Sequence, residues 1–218
     1  MSNRDDTYRH KGLRQKLVNG LSKKGIQSQD VLNAINTVPR HFFLDSALDK
    51  IAYQDKAFDI HCGQTISQPY TVAFQSELLE IKRLDKVLEI GTGSAYQATI
   101  LAELGAQVYT IERQEGLYRE IQKSFPLRKR YPFIKFFFGD GFKGLPTYGP
   151  FDKIIITAGA PFIPEALLDQ LKPNGILVAP VNEGDAQIMT RVKKGPKGGL
   201  TSDTFGDFSF VPMLDGTE

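Results

Sequence analysis

The sequence predicts an α/β fold. It is a doubly wound, mostly parallel sheet of seven strands, preceded by N-terminal helices and closed by an antiparallel C-terminal strand pair. Three observations predict it. From Lys86 onward, short apolar runs alternate with helical patterns, as in a parallel sheet covered on both faces. Before that point, apolar residues recur at helical spacing. After Pro180 no helical pattern remains, and two extended runs flank the Gly-rich turn KKGPKGG.

Residues 4 to 55 read as helical. Leu13, Leu17 and Leu21 share one helix face. Val31, Leu32 and Ile35 share another, after the cap candidate Ser28, until Pro39 interrupts. Residues 56 to 83 hold a short extended piece, the neutral stretch CGQTISQPYTVAF at 62 to 74, and a helix with Pro69 in its first turn. KVLEI then reads as a buried strand, Ala95 to Leu104 as a helix, QVYTI as a strand and Glu115 to Ser124 as a helix. IKFFF, KIIIT and GILVAP are three further strands, with a helix near Pro164 to Leu171 between the last two. IMTRV and FGDFSFVPML form the closing pair.

The chain of 218 residues fits one domain with an elaborated N-terminus: 1–83 as helical cap and active-site segment, 84–218 as cofactor-binding core. Its 41% hydrophobic and 24% charged residues suit a globular protein that needs no staples. With 27 basic and 25 acidic residues the net charge is +2, which gives no electrostatic argument for nucleic acid or for an anionic membrane. The single cysteine, Cys62, excludes an intrachain disulfide and fits a reducing compartment. The N-terminus is charged and lacks an apolar signal region, and no apolar run approaches the roughly 18 residues of a membrane span. The expectation is a soluble cytoplasmic monomer.

Ligands of open α/β sheets bind at the carboxyl ends of the strands. The first strand of the alternating region runs into EIGTGSAY at 89–96, where Gly91 and Gly93 permit a sharp turn and close approach of backbone to ligand. Glu112 ends the next strand, 23 positions after Glu89, where a carboxylate can hold a ribose diol. Asp140 follows at the end of the third. Tyr96 stands where a dinucleotide fingerprint needs its third glycine, and no Gly-Lys-Ser/Thr follows, so neither a dinucleotide site nor a P-loop is present. The pattern points to an adenosine ligand without a pyrophosphate. The plain alternative is an ordinary strand-to-helix turn with solvated acids.

Motif and order resemble class I S-adenosylmethionine-dependent methyltransferases with their Rossmann-like core. GQTISQP at 63–69 narrows the resemblance to the protein-L-isoaspartate O-methyltransferase family. So do VPRHFF at 38–43, VLEIGTGSAY at 87–96, GDG at 139–141, FDKIIITAGAP at 151–161 and FVPM at 210–213. The resemblance covers residues 7 to 214. It implies that Ser67 is the active-site serine and that Thr65, Ile66 and Ser67 line the cleft beside the cofactor methyl. Val181 and Asn182 would face the substrate. Gly91, Thr92 and Gly93 would pass under the methionine part with Glu89 supporting the loop. Glu112 would hold the ribose, Asp140 and Gly141 would meet the adenine, and Thr157 would complete the cofactor site. It implies S-adenosylmethionine as cofactor, S-adenosylhomocysteine as product and isoaspartyl-containing proteins and peptides as transient partners. The methyl ester would then cyclise to a succinimide, whose hydrolysis restores some aspartate.

Two positions depart from the family pattern. Ala95 replaces a glycine and is compatible with the helix start if its φ is negative. Asn182 replaces the glycine of PVG, and would tolerate a positive φ best among non-glycine residues. His61 and Cys62 stand where the family more often has small residues.

Methyl transfer from a sulfonium to a carboxylate is an in-line displacement. The acceptor is already ionised at pH 7, so no general base is required. The reaction needs positioning and shelter from water, and orientation alone can supply roughly 7–11 kcal/mol of the barrier. A neutral, hydroxyl-bearing turn can hold a carboxylate without pairing with it as a lysine would. Ser67 is therefore read as an orienting donor, not a nucleophile, since no base accompanies it; its plain alternative is a helix N-cap before Pro69. His10, His41 and His61 have no evident partner in sequence, and no metal-ligand cluster is read. His41 reads as a structural histidine, and Phe136, Phe137 and Phe138 as core. His61 and Cys62, as strand neighbours, would point to opposite faces. Two other functions compete: a methyltransferase of the same fold acting on a small-molecule carboxylate, and a non-enzymatic cofactor-binding module.

Overall fold

A computed structural model describes residues 5–218. Residues 1–4, which enter both the helical span 4 to 55 and the domain bounds 1–218, lie outside the described residues.

The N-terminal part is helical as expected. Helix α1 (Tyr8–Lys23) starts from a capping box in which Thr7 and His10 bond each other's backbone. Helix α2 (Gln29–Thr37) is capped by Ser28, whose hydroxyl accepts from the Val31 N–H at 3.4 Å. Val38 is extended, as a residue before proline prefers, and two 3-10 turns follow at Arg40–Phe43 and Ser46–Leu48. Strands β1 (Phe58–Asp59) and β2 (Thr65–Ile66) form a small antiparallel ribbon that delivers the chain to helix α3 (Pro69–Leu78).

The alternating region folds as β3 (Lys86–Ile90), α4 (Tyr96–Glu103), β4 (Gln107–Glu112), α5 (Glu115–Ser124), β5 (Lys135–Phe138), β6 (Phe151–Ile156), α6 (Glu165–Asp169), β7 (Leu171–Glu183), β8 (Ala186–Lys194) and β9 (Leu200–Phe208). The sheet order is β5-β4-β3-β6-β7-β8-β9. Strands β3 to β7 are parallel, and β8 runs antiparallel to both β7 and β9. Strand β3 lies between β4 and β6, so the direction of winding reverses there. That reversal is the switch point at which such sheets bind ligands.

Both sheet faces are covered, which explains the continuous apolar runs. Val87, Val108, Ile155 and Val178 face one core with Leu21, Ile35, Leu79 and Ile100 from the helices. Leu88, Ile90, Ile154, Ile156 and Leu177 face a second core. The N-terminal helices thus share a core with the sheet.

Three expectations change. Strand β9 ends at Phe208, so the FVPML part of the expected last strand is not in the sheet. Residues 209–214 instead cross the carboxyl ends of the strands, where Pro212 bridges to Gly159. Phe138 is not core: it is 41% exposed, because β5 is the sheet edge. His61 and Cys62 are not strand residues. They occupy the turn between β1 and β2, and Cys62 is exposed with φ +60°.

Candidate active site

Strand β3 ends at Ile90, and Gly91 (φ +97°) turns the chain into the loop before α4. A side chain at Gly91 would place Cβ 2.6 Å from Thr157 Oγ1. Thr157 follows β6, and its hydroxyl donates to the carbonyls of Ile90 at 2.9 Å and Gly91 at 2.7 Å. On the other side, Gly91 N–H donates to Ile111 O at 2.9 Å, and Gly93 N–H to Glu112 Oε2 at 2.9 Å. The Thr92 hydroxyl lies 2.7 Å from that of Thr110. The loop is therefore fixed between the ends of β4 and β6.

Ala95 corrects the sequence expectation. Its φ is +66°, not negative, and the residue is fully buried at the N-cap of α4. The left-handed conformation costs an alanine roughly 1–2 kcal/mol. Asn182, by contrast, lies within β7 and is not among the positive-φ residues, so it carries no such strain. Its N–H donates to Ala160 O at 2.8 Å.

One cavity opens above these loops. Thr65, Ile66 and Ser67 form one wall, and Gly91, Thr92 and Gly93 form the floor, with Glu112, Gly141 and Thr157 around them. A Cβ on Gly93 would stand 3.9 Å from the Thr65 carbonyl, which shows how near the neutral stretch comes to the glycine loop. A second groove, lined by Tyr70, Phe74 and residues 206–210, shares Thr65 and Ser67 with the first. These two residues thus stand between both spaces.

Ser67 is not the cap of α3. The N-cap is Gln68, which makes no side-chain cap bond, and the first-turn N–H of Tyr70 donates to Asp55 Oδ1 at 2.8 Å. The serine hydroxyl is left free for the cavity. Glu112, only 5% exposed, accepts from Gly93 N–H and Gln114 N–H through its two oxygens, each at 2.9 Å. Each oxygen retains a lone pair for a diol. Asp140 Oδ1 accepts from Phe142 N–H at 2.9 Å and holds the turn that presents Gly141, where a Cβ would meet Ile90 Cγ2 at 2.5 Å. Glu89 does not reach the cavity. It lies behind the loop, fully buried, and burial pushes its carboxyl pKa up to about 8. Val181 lines a separate groove with Phe162 and Leu200, and Asn182 lines neither of the two spaces at Ser67.

The residues fit an adenosine-type sulfonium ligand on two counts. The floor is backbone from which side chains are barred at Gly91 and Gly141, and the Glu112 carboxylate, which could hold a diol, is pre-oriented by two main-chain donors. Sequence reasoning missed the roof. Val211, Pro212, Met213 and Leu214 line the cavity, as do Ile111, Arg113, Ala158 and Gln97. FVPM was visible as a motif, but nothing in its residue types said that it leaves the sheet.

His41 is a buried structural histidine as expected, but His10 and His41 have partners that the sequence did not show. His10 and His41 stack with ring centroids 3.9 Å apart, and with Asp6 they bring potential metal-ligand atoms within 4.8 Å of one another. These groups already have partners. Arg14 donates to both Asp6 oxygens, His10 Nε2 lies 2.9 Å from Asp49 Oδ2, and His41 Nδ1 lies 2.7 Å from the Tyr53 hydroxyl. The cluster braces α1 against the 3-10 turn Arg40–Phe43. Among the described residues no helix is long and apolar enough to cross a membrane.

Comparison with known proteins agrees with this geometry. The family model described as protein-L-isoaspartate(D-aspartate) O-methyltransferase matches residues 12–218. A protein-L-isoaspartate O-methyltransferase of Christiangramia forsetii is 56% identical over 96% of this chain and 98% of its own length. One from Flavobacterium johnsoniae is 54% identical with the same coverage. A solved protein-L-isoaspartate O-methyltransferase superposes with a TM-score of 0.82 at 29% identity, over 91% of this chain and 65% of that one. A Plasmodium falciparum chain assigned to the same activity, solved with S-adenosyl-L-homocysteine, has a TM-score of 0.78 at 24% identity and supports the fold. A match of this extent, with relatives more than half identical along nearly their whole length, means that the chain belongs to the protein-L-isoaspartate(D-aspartate) O-methyltransferase family.

Proposed function

We propose that this enzyme repairs damaged proteins by methylating the α-carboxyl of L-isoaspartyl residues, with Ser67 orienting the acceptor. The observation that carries the reading is the position of Thr65 and Ser67 between the glycine-loop cavity and the second groove. When bound, S-adenosylmethionine supplies an electrophilic methyl group on a sulfonium. The chain's own residues hold and shelter the reactants. Gly91, Thr92 and Gly93 form the floor, Glu112 holds the ribose hydroxyls, and Gly141 leaves room for the base beside Asp140. Thr157 and Glu89 support the loop from either side. Thr65, Ile66 and Ser67 present neutral groups to the acceptor carboxylate, which needs no proton removed. Val181 and Asn182 line neither of the two spaces at Ser67 and are given no contact with the acceptor in this reading.

The enzyme works as a single domain. Residues 1–83 supply the cap and the acceptor segment, and 84–218 supply the cofactor half; the core shared by the N-terminal helices and the sheet supports reading them as one domain. It acts as a cytoplasmic monomer on transiently bound isoaspartyl proteins and peptides.

The test is transfer of labelled methyl to a matched pair of peptides, one with L-isoaspartate and one with aspartate. Labelling is expected only on the first. Ser67→Ala is expected to lower kcat/KM about 10- to 100-fold while cofactor affinity holds. No labelling of either peptide, with cofactor bound, would overturn the reading in favour of a small-molecule acceptor.

A further inference from the structure

Arg40 is fully buried. Its Nη2 donates to the Ser67 carbonyl at 2.9 Å and to the Lys56 carbonyl at 3.3 Å. Its guanidinium lies over Tyr96, 4.9 Å from the ring centroid, and Tyr96 lines the cofactor cavity. Two of its donor nitrogens, Nε and Nη1, and the Tyr96 hydroxyl meet no hydrogen-bond partner. No carboxylate forms an ion pair with it among the described residues. Asp55, the acid whose charge acts on it most, is bound to Tyr70 N–H at 2.8 Å and to Lys24 Nζ at 2.6 Å. A buried, unpaired cation is costly, and a purely structural site would be served by a neutral residue at lower cost.

We propose that Arg40 is the positioning residue that selects an anionic acceptor. Its buried charge, one peptide group behind Ser67, fixes the Ser67 backbone and attracts the substrate α-carboxylate without touching it. The inference rests on the repair reading above.

The placement reconciles two demands. A cation in contact with the carboxylate would hold its lone pairs and blunt the nucleophile. A cation behind the backbone supplies attraction and leaves the attacking oxygen free. Burial keeps the field from being screened by salt. Burial lowers the pKa of Arg40 to about 10, which still leaves it charged at neutral pH.

The same field favours turnover. In the transfer a carboxylate lone pair forms the O–CH3 bond, and the S–CH3 pair returns to sulfur; no proton moves. The acceptor becomes a neutral ester and the sulfonium a neutral thioether. Attraction for the acceptor and repulsion of the sulfonium vanish together, so the methyl step itself is little changed. Arg40 acts on which acceptor binds and on release of the ester.

The experiment compares wild type, Arg40→Lys and Arg40→Gln, using an isoaspartyl peptide and its α-carboxamide counterpart as competitor. Arg40→Gln is expected to raise KM for the carboxylate peptide about tenfold, with kcat changed less than about threefold. The amide Ki and the Kd of S-adenosylhomocysteine, a neutral thioether, should stay within about twofold, the Kd of the cationic S-adenosylmethionine should fall, and Arg40→Lys should retain most of the preference. Equal weakening of carboxylate and amide would make Arg40 merely structural and overturn the proposal, as would no change. If the variants do not fold, calorimetry on wild type decides. Carboxylate preferred over amide about tenfold at both low and high salt supports a buried charge. Equal binding of the two, or a preference that high salt abolishes, overturns it. Absence of turnover by wild type would instead count against the repair reading.

Discussion

Glu89 shows how a residue's position on a strand can decide its chemistry. It shares a strand face with Val87, against the helices, and both carboxyl oxygens lack a hydrogen-bond partner. Burial pushes its pKa from the ordinary 4.5 to about 8. Between those values the folded chain holds a proton that the unfolded chain has lost. Stability therefore falls as pH rises through that window and levels off above it. Glu89→Gln removes the slope. The variant is expected to match wild type near pH 5 and to exceed it by a few kcal/mol near pH 9, measured by denaturant unfolding at both values. Equal stability at the higher pH would contradict a buried, protonated carboxyl. The sequence marked Glu89 as a loop support but could not show its burial. It marked Ala95 as a departure but could not show the sign of its φ. By contrast, the gathering of Gly91, Glu112 and Ser67 at one cavity was legible, because a strand end, a glycine turn and a neutral hydroxyl stretch each announce a local need.

Among elements, the core strands were legible and the last one was not, for one physical reason. Strands β3, β4, β6 and β7 are buried on both faces along their central residues, so each carries a short run rich in apolar residues, with buried exceptions such as Glu89 and Thr110. Strand β9 is an edge with a register shift opposite Ile188 and Met189, which pair with Asp207 and Phe205. Gly206 is the extra residue, and it breaks the two-residue alternation. Phe205 and Phe208 consequently both pack on Phe74 of α3, at 5.8 and 5.3 Å between ring centroids. No period-two reading would group them. Helix α3 also holds the N-terminal helices in place: Glu77 Oε2 accepts from Gln27 N–H at 2.8 Å and Ser28 N–H at 2.7 Å, just ahead of α2. Glu77→Ala leaves both donors to water and loosens α2 from α3. The expected cost is about 1–2 kcal/mol in urea unfolding, with cofactor affinity unchanged. A variant as stable as wild type would show that α2 docks by its apolar face alone.

At the scale of the whole molecule, the chain covers its own cofactor cavity with a segment that sequence periodicity placed in the sheet. Residues 209–218 leave β9 and cross the carboxyl rim from the β6 side to the start of α5. The near end is fastened by Gly159 N–H to Val211 O and Met213 N–H to Gly159 O, both at 2.8 Å. The far end is fastened by Glu218 N–H to Arg113 O at 2.9 Å and Glu115 N–H to Glu218 O at 2.7 Å. Arg113 Nη1 adds an ion pair with Glu218 at 3.1 Å. Between these anchors, Val211 to Leu214 form the roof. Deleting residues 215–218 removes the far anchor but leaves the roof residues and every strand. The roof would then sample open positions, and bound cofactor would escape faster. Cofactor Kd is expected to rise about three- to tenfold by calorimetry, with Tm of the free protein lowered by no more than about 3 °C. The loss should persist at high salt, because the two main-chain bonds outlast the screened Arg113–Glu218 pair in setting the anchor's strength. An unchanged Kd would mean that the near anchor alone holds the roof. A large fall in Tm would mean that the segment completes the fold before it covers the site.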